Sequence, residues 1–391
     1  KSHSNMYKTD QITAAWRQGI TSLAETWINP AAAEREQNAT FDRSVWAACA
    51  DVGLAGLTVP KAYGGQGLGA LGTVKVLELL GYASEDPGLN FGLAAHLLAV
   101  VAPIMEYGTK KQQAHYLPAL ADGTLIGGNA ITEASAGSDV FEMQTRAKES
   151  KHGYTLNGTK TYCSNGKWAN LLLTYAMTDE AKGFFGGVSA FLVEEENDQF
   201  RRSEEKMKLG LRSCSLAEVI FEDTYVAGER MLGQTGGGAQ IFNRSMEWER
   251  TCLGAIHLGA MDKLLELASE FANQRFSGAT NLSAHQAVSH PLANLKVQLE
   301  GARLLTYRAA EMLDQGVKGH TFAAMAKLAV SECYRDLTMQ LMQLFAGKAY
   351  QTPNLIERHL RAALGATLYS GTSEIQRNLI ARGLGLRARK R

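Results

Sequence analysis

An excess of charge of either sign is missing from this sequence: 40 Lys and Arg stand against 39 Asp and Glu, a net charge of +1. Such a balance offers no global attraction to nucleic acid or to an anionic membrane. Cysteine is scarce too, with five in 391 residues: Cys49, Cys163, Cys214, Cys252 and Cys333. Their odd number, wide spacing and lack of any C-x-x-C pair argue against a disulfide framework and for reduced, mostly buried thiols in a cytoplasmic protein. The histidines have no metal-ligand spacing, and no Ser/His/Asp arrangement can be argued from the sequence. No strand-like segment runs into a G-x-G-x-x-G helix opening, which argues against a Rossmann dinucleotide site. No apolar run reaches the roughly 18 residues of a membrane helix, and the polar start KSHSN lacks the apolar core of a signal peptide. Met6 reads as the natural start, and the basic end RARKR as a solvated tail.

What is present is a chain 45% hydrophobic and 20% charged. At roughly 100–200 residues per domain, it predicts two or three domains. Up to about residue 124 the apolar spacing is helical, as in Trp16, Ile20, Leu23 and Trp27, or Leu77, Leu80 and Tyr82. Thr109 is placed to cap a helix beginning at residue 110. Between 125 and 230 the pattern changes to short β-rich segments, 144–148, 154–156, 159–163, 171–176, 188–193 and 217–221. Asn157-Gly158 and Asn165-Gly166 are read as the tight turns among them. From residue 236 the helical period returns, with segments near 285–315, 321–346, 354–368 and 372–382 after one long helix that carries Ile241, Trp248, Leu253 and Leu264. The expected fold class is α+β: an all-helical N-terminal domain (6–124), a central antiparallel β-domain (125–230) and a C-terminal domain of four-helix-bundle type (231–391).

The hinge between the first two regions is the segment 127–139, GGNAITEASAGSD. Its glycines let backbone approach a ligand closely, and Thr132, Ser135 and Ser138 supply donors for carbonyl or phosphate oxygens. By composition alone such a stretch is more often an ordinary loop than a binding site.

The order helices, sheet, helical bundle, with AITEASAGSD entering the sheet, LNGTKTYCSNG within it and LYSGTSEIQRNLIARGL near the end, resembles the acyl-CoA dehydrogenase family over nearly the whole chain. The resemblance implies an FAD cofactor held between the β-domain and the C-terminal helices, and an acyl thioester substrate on coenzyme A or an acyl carrier protein. It also implies an electron-transfer flavoprotein or similar acceptor and a homodimer or homotetramer. Thr132 and Ser138 match positions that contact the flavin ring and its pyrophosphate, Ser138 also the substrate. Tyr162 stands where the family usually has a tryptophan against the flavin, and Ser164 where it has a threonine bonding the ring; an aromatic face and a hydroxyl are both kept. Arg275 and Ser277 resemble the pair on the pyrophosphate, although Gly278 and Ala279 depart from what commonly follows. Gln343 and Gly347 match positions that reach the cofactor of the neighbouring subunit, and Thr372 and Glu374 those at its adenosine end.

Many members carry the base directly after the tyrosine of the C-terminal motif, and here that residue is Ser370, whose hydroxyl is too weak a base. A branch resembling isovaleryl- and long-chain dehydrogenases carries the glutamate on the first helix of the C-terminal bundle, before an arginine. That position is Glu249, followed by Arg250, which matches a contact to the thioester-bearing group. Glu247 lies roughly 200° around the same helix, so both glutamates cannot face one site. Apolar surroundings such as Trp248 and the flavin are expected to raise the pKa of Glu249, and Trp248 suggests a compact acyl group. His285 and Gln286 read as structural. Two alternatives stay open on the same fold: a flavin monooxygenase or oxidase that needs no carboxylate at Glu249, and a non-catalytic flavin-binding member.

Overall fold

The computed structural model describes residues 11–195, 199–317 and 319–386, so Met6, the start KSHSN and the basic tail lie outside the described residues. The first layer is helical: α1 (Gln11–Leu23), α2 (Ala32–Asn38), α3 (Arg43–Asp51), α4 (Ala70–Ala83), α5 (Pro87–His96), α6 (Ala102–Tyr107) and α7 (Lys110–Ala121). Local chemistry starts several of them. Asp42 accepts from the amides of Ser44 and Val45 ahead of α3, and Asp86 with Pro87 opens α5. Thr109 and Gln112 form a reciprocal capping box on α7, as the sequence predicts for Thr109.

One expectation fails in this layer. α5, a π-turn at Leu97–Val101 and α6 form one continuous helix, Pro87–Tyr107, long and apolar enough to span a bilayer. Its spanning window is 89% buried inside the protein, so it is a core helix. The interior face is what makes it apolar all round.

Eight strands form the central sheet: β1 (Gly127–Ala130), β2 (Arg146–Ser150), β3 (Gly153–Ser164), β4 (Leu171–Met177), β5 (Val188–Glu194), β6 (Arg201–Arg202), β7 (Leu216–Ala227) and β8 (Met231–Leu232), with the short helix α8 (Phe184–Gly187) before β5. The order is β6-β7-β3-β2-β4-β5-β8, with β1 beside β4. The sheet is mixed rather than purely antiparallel, because β1 pairs parallel with β4 and β2 touches β4 in parallel at Arg146 and Met177. β1 enters straight from the helical layer and packs on the π-turn, which fixes its direction.

Asn157-Gly158 is not a hairpin turn. β3 runs through it with a bulge opposite β7, pinned because Asn157 donates to Asp223 Oδ1 (3.0 Å) and accepts from the Asp223 amide (2.9 Å). Asn165 does turn the chain, at φ 59°, but it leads into a crossover, since β3 lies between β7 and β2.

The last layer comprises α9 (Gly238–Cys252), α10 (Ala255–Gln274), the hairpin β9 (Phe276–Ser277) and β10 (Thr280–Asn281), α11 (Gln286–Asp314), α12 (His320–Phe345), α13 (Leu355–Ala366) and α14 (Ser373–Gly383). The single long helix expected after residue 236 is two helices, broken at Leu253–Gly254. A Cβ on Gly254 would come 3.1 Å from Val330 Cγ1 on α12. His285 precedes α11 and meets Thr280, in keeping with a structural role.

One apolar core joins Ile20, Trp46 and Leu77 of the first layer to Ile256, Leu264 and Leu337 of the last. α4 and α10 cross with their backbones nearly touching: a Cβ on Gly259 would lie 1.9 Å from the Glu78 carbonyl, and one on Gly81 2.0 Å from that of Ile256. Only glycine fits at that crossing. All five cysteines are free and buried.

Candidate active site

Three groups of residues emerge where the sequence reading expects one cofactor site. The first lies on the sheet. Thr132 follows β1, and its carbonyl accepts from the Thr161 amide at 2.7 Å, which joins the hinge loop to β3. Beneath it, Glu133 accepts from the amides of Gln144 (2.6 Å) and Thr145 (2.9 Å), and from Lys160 Nζ at 2.8 Å. Lys160 also donates to the Ile131 carbonyl at 3.0 Å and is fully buried. Burial pushes the Glu133 carboxyl up, but Lys160 and the donors of 144–145 outweigh it and hold it below the ordinary carboxylate value. The loop is therefore anchored from inside the protein by a buried ion pair.

On the outer side, Tyr162 is 65% exposed at φ 54°, on an irregularity between Lys160 and Cys163 that turns its ring out of the ladder. The side-chain hydroxyls of Thr132, Ser138 and Ser164 have no hydrogen-bond partner among the described residues. An exposed aromatic face beside unpaired hydroxyls fits a planar, heteroatom-rich ring such as a flavin.

The second group surrounds Glu249 on α9. α9 is brought against the sheet by a glycine at its start: a Cβ on Gly238 would sit 2.8 Å from the Val188 carbonyl of β5. Glu249 is 8% exposed. Its Oε2 accepts from Ser370 Oγ at 2.7 Å, while Oε1 is buried without a partner. Burial pushes its carboxyl up to about 7, opposed first by the Ser370 hydrogen bond and then by the charge of Arg250. A carboxylate near neutral pKa with one free oxygen can take a proton at physiological pH.

Trp248 is turned away from the cavity at this carboxylate. Its Nε1 donates to Glu106 at 2.6 Å, and it is not among the residues lining the cavity beside Glu249, which include Leu253, Val330, Ala366 and Tyr369. The inference of a compact acyl group from Trp248 therefore falls, because the indole is next to Glu249 in sequence but turned away in space. Glu247 faces a third direction, accepting from Arg244 (2.8 Å) and from the Gly319 amide (3.2 Å).

Arg250 donates through Nε to the Ser370 carbonyl at 3.3 Å. Three neighbours escaped sequence reasoning. Tyr369 Oη and His257 Nε2 are 2.5 Å apart, the His257 ring stacks on Tyr334 at 4.5 Å, and Lys327 lines the same cavity with its Nζ buried and unpartnered. Burial holds His257 down to about 3, so it stays neutral, and brings Lys327 to about 8. No local signal marks them, since they come from α10, α12 and the turn after α13.

Thr372 caps α14 by accepting from the Ile375 amide, with Glu374 exposed in its first turn. Both stand on the turn that carries Ser370. The third group is remote: Arg275 and Ser277 on the β9–β10 hairpin, and Gln343 and Gly347 at the end of α12, are all exposed. The two ends are held together by Phe271 stacked on Phe345, 4.3 Å between centroids. α10 spans 20 residues, so at 1.5 Å per residue this end is about 30 Å from the break beside Glu249.

The chain matches the family descriptions "Acyl-CoA dehydrogenase, N-terminal domain" over residues 11–124, "middle domain" over 128–224 and "C-terminal domain" over 236–385. It is 42% identical to an L-prolyl-[peptidyl-carrier protein] dehydrogenase of Pseudomonas fluorescens over 91% of this chain and 94% of that protein. Among solved structures it is similar to the prolyl acyl carrier protein oxidase AnaB (TM-score 0.94, 34% identity, covering 97% of this chain and 100% of that one). It is equally similar to PigA with FAD and proline (TM-score 0.94, 34% identity, 98% and 100%). Fold and site thus define a flavoprotein oxidoreductase acting on a CH–CH bond. The chain belongs to the acyl-CoA dehydrogenase family, with FAD as cofactor and α,β-dehydrogenation of an acyl thioester as its reaction.

Proposed function

We propose that Glu249 is the base of this reaction and that the substrate is an L-prolyl or similarly compact aminoacyl group on the phosphopantetheine arm of a carrier protein. The observation that carries the base is the buried carboxylate of Glu249 with Oε1 unpaired and Oε2 anchored. The carrier-bound prolyl group is supported by what the similar proteins are named for.

Glu249 Oε1 takes the proton from the carbon next to the thioester carbonyl. The electron pair left on that carbon forms the new double bond as hydride departs from the neighbouring carbon. FAD, when bound, supplies the hydride acceptor. Tyr162, Thr132, Ser138 and Ser164 would hold the flavin ring, Ser138 would also contact the substrate, and Arg250 would contact its thioester-bearing group. The low-dielectric surroundings of Glu249 match its basicity to neutral pH.

We further propose that the working form is a homodimer or homotetramer. Arg275, Ser277, Gln343 and Gly347, far from Glu249 in the same chain, contact the cofactor of a neighbouring subunit, while Thr372 and Glu374 contact its adenosine end. The division 6–124, 125–230 and 231–391 describes the three layers, an electron-transfer flavoprotein is the acceptor, and the buried free thiols suit a reducing cytoplasm.

The test is anaerobic mixing of the FAD-loaded protein with L-prolyl-carrier protein, L-prolyl-CoA and butyryl-CoA, following loss of the visible flavin band. Bleaching by the prolyl thioesters alone supports the reading, and bleaching by butyryl-CoA alone overturns the aminoacyl part. Reoxidation by air as fast as by electron-transfer flavoprotein would replace that acceptor by oxygen.

A further inference from the structure

Ser370 occupies the place where many relatives carry their base, and it is not idle there. Its hydroxyl donates to Glu249 Oε2 at 2.7 Å across 121 residues of sequence. Its backbone is left-handed, φ 51°, although it has a side chain. That conformation is unfavourable for a residue with a Cβ, so surrounding contacts must impose it.

Those contacts are present. Gln376 Nε2 donates to the carbonyls of Ser370 (3.2 Å) and Gly371 (2.7 Å), and Arg250 Nε donates to the Ser370 carbonyl from the other side. The Ser373 amide closes the turn on the Thr367 carbonyl at 3.0 Å. The turn after α13 is thus clamped from α9 and α14, and its strained residue is the one that reaches the carboxylate.

We propose that Ser370 is a positioning residue for the base, fixing Oε2 of Glu249 so that Oε1 is presented unpaired to the substrate α-carbon. This rests on the reading of Glu249 as the base. In the reaction Oε1 gains the α-proton, the Cα–H electron pair enters the forming double bond, and hydride leaves the β-carbon for the bound FAD. Ser370 keeps its own proton throughout. A carboxylate with both oxygens free could turn about its last torsion and meet the α-carbon with poor alignment, since terminal sp³–sp² torsions have broad wells. One fixed oxygen removes that freedom before substrate arrives. The same hydrogen bond favours the ionised carboxylate and offsets part of the upward push of burial.

The test uses the FAD-loaded protein and the variants Ser370→Ala, Ser370→Gly, Ser370→Thr and Glu249→Gln. Glycine removes the hydroxyl while relaxing the backbone, so a folded variant without the hydroxyl is available even if alanine misfolds. The first readout needs no substrate: infrared titration of the Glu249 carboxyl, identified as the band absent from Glu249→Gln. The alanine and glycine variants are expected to titrate about one pH unit higher than wild type, and the threonine variant near wild type. The second is flavin bleaching by L-prolyl-pantetheine, expected about tenfold slower near neutral pH in the first two variants, with its acid limb moved upward and KM little changed. An unmoved titration and unchanged limb in Ser370→Ala and Ser370→Gly would overturn the proposal while leaving Glu249 as base. Undiminished bleaching by Glu249→Gln would instead remove the base itself, whatever the infrared titration gives.

Discussion

Glu247 and Glu249 stand two residues apart on α9, both buried, and are held by different partners: Glu247 by Arg244 and the Gly319 amide, Glu249 by Ser370. One carboxylate closes an ion pair and the other has a free oxygen in a cavity. Their substitution should therefore separate chemistry from stability. Glu249→Gln is expected to bind FAD normally and to lose flavin reduction by about 10³-fold, the middle of the range for removing a general base. Glu247→Gln is expected to lower thermal stability by about 1–2 kcal/mol, since Arg244 is part-exposed and keeps Glu106, with near-normal turnover per folded molecule. Stopped-flow reduction and thermal melts on both variants check this, and equal activity losses would contradict it.

The pH dependence follows from the burial of Glu249. A base with a folded pKa of about 7 must be deprotonated to act, so the rate of flavin reduction should rise with pH through about 7 and level off above it. Stability should move the opposite way. The folded pKa lies above the ordinary carboxylate value, so this group costs nothing below about pH 4.5 and destabilises the fold increasingly as pH rises from there through about 7. Glu249→Gln should accordingly melt several degrees higher than wild type at about pH 8.5 and nearly equally at about pH 4.5. A rate limb near pH 4.5 would show that the carboxylate is solvated.

Lys160 and Glu133 anchor the hinge loop from a place water does not reach. Lys160→Met leaves the Glu133 carboxylate buried with fewer donors, a change expected to cost about 3–5 kcal/mol and to weaken FAD binding, because Thr132 and Ser138 ride on that loop. Lys160→Met with Glu133→Gln should recover part of the stability. Denaturant melts and flavin content measure both effects, and a fully additive double variant would show that the two residues do not act together.

Tyr162 is exposed and can be removed with little effect on the protein alone. Tyr162→Ala is expected to change the stability of the FAD-free chain by less than about 0.5 kcal/mol, yet to weaken FAD binding about tenfold, while Tyr162→Phe keeps most of it. Equilibrium titration with FAD decides this. Equal affinity in the alanine variant would remove Tyr162 from the flavin site.

Val297 and Leu304 lie seven residues apart on one side of α11, 72% and 53% exposed. They are the positions at which the proposed homo-oligomer can be tested. Val297→Glu with Leu304→Glu should reduce the molecular mass by light scattering to that of one chain and release FAD, if Gln343 and Gly347 serve a neighbour's cofactor. A wild-type chain that is already monomeric with FAD bound would refute the shared site.

Much of this protein could be read from residue order alone, because the signals involved are local. The 3.6-residue spacing of Trp16, Ile20 and Leu23 reports the buried face of α1, and Thr109 with Gln112 carries its own capping chemistry. The shift to β-rich segments after the hinge and back to helix at α9 gave the three layers, and the motifs around Thr132, Tyr162 and Ser370 gave the family. Local reading failed where a distant strand or helix decides the outcome. Asn157-Gly158 has the composition of a tight turn, yet β7 and Asp223 hold it as a bulge within a strand. Pro87–Tyr107 has the composition of a membrane helix only because every side of it meets protein. Trp248 is next to Glu249 in sequence, but a residue one step along a helix points about 100° away, and Glu106 claims it. The partner that matters to Glu249 is Ser370, 121 residues on, together with His257, Lys327 and Tyr369 from three other elements. The sequence by itself determined which residue could be the base; only tertiary packing decided which of its oxygens is free, because burial and a hydrogen bond across the bundle are properties of residues brought together by the fold.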